Sequence, residues 1–179
     1  MDIDKVSAGK NPPWQVNAII EVPMNSDPVK YELDKDSGAL VVDRFLHTAM
    51  YYPCNYGFIP HTLSDDGDPI DVLVVNRQPV QPGCVMAVRP IGVLVMSDEE
   101  GEDEKLLAAP VDKLDPYFAG VKSYKDMPKP YLDQIAHFFQ HYKDLEKEKW
   151  VKIERWGEAD EAAQMIDAAI QRAQSKAAE

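Results

Sequence analysis

A chain of 179 residues with 45% hydrophobic content is long enough to bury a substantial core, and it reads as one domain over residues 1–179. Its 31 Asp and Glu against 19 Lys and Arg give a net charge of -12. That balance excludes ordinary nucleic-acid binding, which needs clustered cations against the phosphate backbone, and a chain this acidic can handle phosphate only by bringing metal ions.

Nothing near the N-terminus reads as a secretory signal, because Lys5, Lys10, Asn11 and Pro12-Pro13 interrupt any apolar stretch. No run approaches the length of a membrane span. Cys54 and Cys84 are too few and too far apart for a disulfide framework or a CxxC site, so a reducing cytoplasm is expected and both are read as small buried residues.

In chain order, short β-like runs come first. Strands are predicted at Ala18 to Val22, Val29 to Leu33, Leu40 to Asp43, Asp71 to Val75, Val85 to Met96 and Lys105 to Ala109, separated by Pro, Gly, Asn and Asp. Within the second, Val29, Tyr31 and Leu33 alternate with Lys30 and Glu32, whose charged face meets either water or a site. A surface loop is expected from Asp126 to Pro130. Tyr131, Leu132, Ile135, Phe138, Phe139, Tyr142 and Leu145 then recur at helical spacing, Trp150, Val151, Ile153 and Trp156 predict a further strand, and Ala159, Ala162, Ala163, Ile166, Ala169, Ile170 and Ala173 predict a second helix. Strand spacing alone fits a small barrel or another closed sheet.

Two acidic clusters interrupt this pattern. The run Asp66-Gly67-Asp68-Pro69-Ile70-Asp71-Val72 sets three aspartates in a turn that aims its carboxylates, and Asp98, Glu99, Glu100, Glu102, Asp103 and Glu104 follow. The second cluster by itself reads as a solvated loop. Concentrated like charge is unfavourable without cations, so together they look like a site for several hard ions. An EF-hand fails on spacing: counted from Asp66, the fifth position is Ile70, the sixth is Asp71 where glycine is needed, and the twelfth is Arg77 rather than glutamate.

Lone charged residues on strands are usually solvated, and lone buried tyrosines usually anchor to backbone. The combination of Glu21, Lys30, Glu32, Arg44, Tyr52, Tyr56, Asp66, Asp68, Asp71, Asp98, Asp103, Lys105, Tyr142 and Lys143 is different. With the strings Lys30-Tyr31-Glu32, Asp43-Arg44, Tyr52-Pro53-Cys54-Asn55-Tyr56-Gly57 and His141-Tyr142-Lys143-Asp144-Leu145, it resembles the active site of the family I soluble inorganic pyrophosphatases from about Val16 to Trp156.

The resemblance implies an α+β fold, a small closed antiparallel β-barrel of OB-like type with two C-terminal helices packed against it. It implies hydrolysis of pyrophosphate to two orthophosphates by a metal-activated water. Asp66, Asp71 and Asp103 would bind one ion, with Asp71 bridging to a second. Asp68 would orient the attacking water and take its proton, and Asp98, Asp103, Glu21 and Glu32 would hold further ions. Lys30, Glu32, Arg44, Tyr52, Tyr56, Lys105, Tyr142 and Lys143 would bind substrate. An all-carboxylate ligand set favours Mg²⁺, several ions per site, with Mn²⁺ as a possible substitute. The Asp-His-His motif of the second pyrophosphatase class is absent, so His47, His61, His137 and His141 are read as packing or surface residues. Resemblance to bacterial members also implies a homohexamer, with the first helix at a subunit contact. The rival functions are a non-catalytic cation store, against which Lys30, Arg44, Lys105 and Lys143 count, and an OB-type nucleic-acid binder, against which the net charge counts.

Overall fold

The computed structural model describes residues 2–178. Its strands and α-helices, in chain order, are β1 (Val16–Val22), β2 (Val29–Leu33), β3 (Leu40–Phe45), β4 (Asn55–Phe58), β5 (Asp71–Val74), β6 (Val85–Asp98), β7 (Gly101–Pro110), α1 (Lys129–His141), β8 (Val151–Glu158) and α2 (Ala159–Ala177). Seven of the eight strands lie where β-like runs between turn residues predict them. β4 does not, because two of its four residues, Asn55 and Gly57, are of the types that usually mark turns. That glycine is required by close approach: a Cβ there would stand 1.9 Å from the Ile19 carbonyl oxygen on the paired strand β1.

Strand β1 pairs with both β4 and β6, β4 with β5, β5 with β7, and β7 with β6, so the ladder closes into a ring. Closure leaves no open edge among these five strands. The pairings are antiparallel except β5 with β7, which is parallel. The long strand β6 serves β1 with its first residues and β8 with its last. It bends between them at a bulge spanning Pro90 to Gly92, where proline's missing N–H does no harm to the ladder. Strands β2 and β3 form a separate hairpin.

The two faces of the strands bury two apolar clusters. One holds Leu73, Leu94, Met96 and Leu107 with Leu132, Ile135, Phe138 and Phe139 of α1. The other holds Val72, Val74, Val93 and Leu106 with Ala162, Ile166 and Ala169 of α2. Helix α1 begins earlier than its aromatic stripe implied. Pro128 is its N-cap and Pro130 stands in the first turn, where its missing donor is harmless, so the expected loop at Asp126 to Pro130 is instead the end of a 3-10 turn and the start of α1. It also ends sooner, at His141, and Leu145 is exposed. Cys54 is buried as expected, but Cys84 is exposed, because it stands in the turn that feeds β6.

Candidate active site

The parallel register of β5 and β7 sets Asp71 beside Lys105 and Leu73 beside Leu107. Because side chains alternate, the two leucines enter the α1 cluster while Asp71 and Lys105 extend that same face into a cleft of about 770 Å³. Asp103, two residues before Lys105, shares the face. The Lys105 ammonium donates to Asp71 and, at 2.7 Å, to Asp103. Burial pulls the Lys105 pKa down, but the two carboxylates overcome it and hold the group well above its ordinary value. It stays charged at any working pH.

Glu21 of β1 lies in the same floor, accepting the Leu33 N–H at 2.7 Å. Burial outweighs that bond and pushes its carboxyl up to about 7. Tyr56 and Tyr142 also line the cleft, and burial raises both hydroxyls, so each remains an O–H donor at neutral pH.

The rim is a loop between β4 and β5. Thr62 closes its base, donating from Oγ1 to the Ile59 carbonyl and accepting the Ile70 N–H. At the tip the Ser64 N–H meets the Asp68 carbonyl at 2.7 Å, and the Asp68 N–H meets the Asp66 carboxylate at 2.9 Å. Gly67 takes a φ of 95°, which disfavours any other residue there. The Asp68 carboxylate is exposed at the rim of the cleft and meets Lys35 at 3.0 Å.

Cations close the opposite side. Bonds from the Asp144 N–H to His141 and from the Glu146 N–H to Lys143 tighten the chain after α1, and Tyr142 and Lys143 line the cleft. Lys143 pairs with Asp98 at 2.7 Å; burial opposes the charge, but Tyr142, Asp98 and Glu99 raise its pKa. From the hairpin, Lys30 pairs with Glu32 and Asp43, and Arg44 donates to Glu146 at 3.0 Å.

A family profile described as inorganic pyrophosphatase matches residues 18–174. The chain belongs to the inorganic pyrophosphatase family. An inorganic pyrophosphatase of Caulobacter vibrioides is 62% identical over 172 residues, covering 96% of this chain and 97% of that one. One of Escherichia coli is 56% identical over 176 residues, covering 98% and 100%. The crystal structure of the inorganic pyrophosphatase of Thermus thermophilus superposes with a TM-score of 0.92 at 39% identity, over 97% of this chain and 99% of the other. A structure from Anaplasma phagocytophilum described as an inorganic phosphatase gives 0.93 at 55% identity, over 95% and 99%.

Of the residues that the resemblance to this pyrophosphatase family marked, Glu21, Lys30, Glu32, Arg44, Tyr56, Asp66, Asp68, Asp71, Asp98, Asp103, Lys105, Tyr142 and Lys143 line the one cleft. Tyr52 does not. It is buried in the α1 cluster, its ring 5.5 Å from that of Tyr56 and 4.7 Å from that of Phe138. Lys35 and Lys149 also line the cleft, and no string in the sequence pointed to them. Each stands outside the strands and helices among other charges, where nothing in the pattern separates a lining residue from a solvated one.

The cleft brings together thirteen carboxylates and six cations. Among the described residues no three His, Cys, Asp or Glu side chains already converge as ligands on one point. The ammonium of Lys105 instead stands between Asp71 and Asp103, a pair thus arranged around positive charge. With no histidine or cysteine in the lining, the donor set fits hard cations and not Zn²⁺ or Cu²⁺.

Proposed function

We propose that this cleft hydrolyses inorganic pyrophosphate to two orthophosphates with Mg²⁺ as the activating ion, several per site, and Mn²⁺ as a possible substitute. The observation that carries the proposal is the interleaving of Lys30, Arg44, Lys105 and Lys143 with the aspartates in one cleft. A site that only stored cations would gain nothing from these four positive groups, whereas an anion delivered with metal needs both signs.

Asp66, Asp71 and Asp103 would hold the first ion, Asp71 bridging to a second, with Asp98, Glu21 and Glu32 serving ions that arrive with substrate. Bound Mg²⁺ would offset phosphate charge and lower the pKa of a bound water. Asp68 orients the attacking water and accepts its proton, a role supported by its accessible carboxylate at the cleft rim and its fixed turn. Arg44 offers a planar fork for two phosphate oxygens, and Lys30, Lys105 and Lys143 act as point charges. Tyr56 and Tyr142 donate hydroxyl hydrogens. Tyr52 is proposed as a substrate residue on resemblance alone, and its place beside Tyr56 supports an indirect part.

A cytoplasmic site of action is part of the same proposal, as is a homohexamer. No helix among the described residues is long and apolar enough to cross a membrane. The assembly is supported by exposed Leu40, Val41, Val42 and Phe45 on β3.

The test is phosphate release from pyrophosphate with Mg²⁺, repeated with the metal chelated and with a nucleoside triphosphate in place of pyrophosphate. Fast release that needs Mg²⁺ and strongly favours pyrophosphate is expected. No release with any metal would return the cleft to the cation-store reading.

A further inference from the structure

Helix α2 holds the aspartate loop by both of its backbone handles. The Leu63 N–H donates to the Ala169 carbonyl at 3.0 Å, and the Leu63 carbonyl accepts from Arg172 Nε at 2.7 Å. Arg172 Nη1 lies 3.5 Å from the Asp65 carboxylate. The feet of the loop are tied to the same helix by packing, since Ile59 and Ile70 share a buried cluster with Ile166 and Ala169.

Between these anchors the loop has its own bonds, Ser64 N–H to Asp68 carbonyl and Gly67 N–H to Ser64 carbonyl. Leu63 is therefore where the helix meets the turn that carries Asp66 and Asp68. We infer that Arg172 is a positioning residue, which acts through the Leu63 carbonyl to set the height of that turn over the cleft. The inference rests on the proposed roles of Asp66 and Asp68, but the physical coupling does not depend on them.

The bond to the carbonyl is the part that matters. Asp65 is almost fully exposed, and an exposed ion pair is screened. The carbonyl bond is charge-assisted and directional, which suits the fixing of a loop. Displacement of catalytic groups by a fraction of an ångström lowers turnover far more than it lowers ground-state binding.

The experiment compares Arg172→Gln and Arg172→Lys with the parent chain, first by amide hydrogen exchange without metal and then by kinetics on pyrophosphate. In Arg172→Gln the Leu63 and Ser64 amides should exchange roughly tenfold faster, with the amides of Leu106, Leu107 and Ala108 unchanged, which separates local loosening from loss of fold. Turnover should fall roughly tenfold with KM within about twofold. Arg172→Lys keeps a cationic donor and should recover most of both effects, and Asp65→Asn should leave both within about twofold. Unchanged loop exchange in Arg172→Gln overturns the inference, and so does a lysine variant indistinguishable from glutamine. If the parent chain does not hydrolyse pyrophosphate, the proposed function fails while the exchange comparison still decides the coupling.

Discussion

On the floor of the cleft, Asp71 and Asp103 sit on paired strands and share one ammonium, Lys105, whereas on its rim Asp66 and Asp68 stand on an exposed loop. The Lys105 side chain is 7% exposed and that of Asp68 is 76% exposed. The floor is therefore held by its ion pairs, because a buried ammonium that lost its carboxylates would be costly. The rim is organised by backbone bonds within the loop and leaves its carboxylates accessible. The same residue type thus supplies fixed electrostatics in one place and accessible ligands or a base in the other.

Removing the shared cation should separate the two regions most strongly. Lys105→Met leaves Asp71 and Asp103 without their partner and is expected to destabilise the metal-free chain by about 3–5 kcal/mol in urea unfolding, with part of the loss recovered by Mg²⁺. A variant as stable as the parent would mean that the floor is not held by this charge. Asp68→Asn should do the reverse. Turnover is expected to fall about a hundredfold or more, while stability shifts by less than about 0.5 kcal/mol. Unimpaired turnover removes the role assigned to Asp68.

Glu21 sharpens the comparison through pH. Its carboxyl is raised from 4.5 to about 7 in the folded chain, so the folded state holds a proton that the unfolded state has lost between those values. Its contribution is fully favourable below about pH 4.5 and falls as pH rises to about 7, by up to about 3 kcal/mol. Glu21→Gln can still accept the Leu33 N–H, and in the metal-free chain it should gain stability over the parent across that window and keep the gain above it. Thermal unfolding at pH 5 and pH 8 measures this, and an equal difference at both values would contradict the assignment. The smallest effect belongs to the rim pair. Lys35→Ala breaks an exposed contact with Asp68 and should change stability by less than about 1 kcal/mol, with turnover within about twofold.

Much of the site was legible because its residues come in short strings. Asp66-Gly67-Asp68-Pro69-Ile70-Asp71 carries its own turn chemistry, and Lys30-Tyr31-Glu32 carries strand alternation that places both charges on the cleft side. Lys35 and Lys149 were not legible, since each joins the cleft only when the segments on either side of it are folded together. Nor was the loop clasp at Arg172, which spans 109 residues of sequence to reach Leu63. The expectation that Cys84 is buried followed from the average behaviour of free cysteine and yielded to its place in a turn.

The sequence by itself determined where the long strands and the two helices lie and which charges stand together along the chain. Periodicity and local charge density are properties of neighbours along the chain, and they survive without a fold. Only the tertiary structure decided that β5 and β7 run parallel, and with that register which carboxylates share Lys105. It also decided that Tyr52 packs against α1 while Tyr56 lines the cleft, and that α2 grips the aspartate loop. These are contacts between segments far apart in the chain, favoured by the apolar surface they bury together, and no local pattern records that choice.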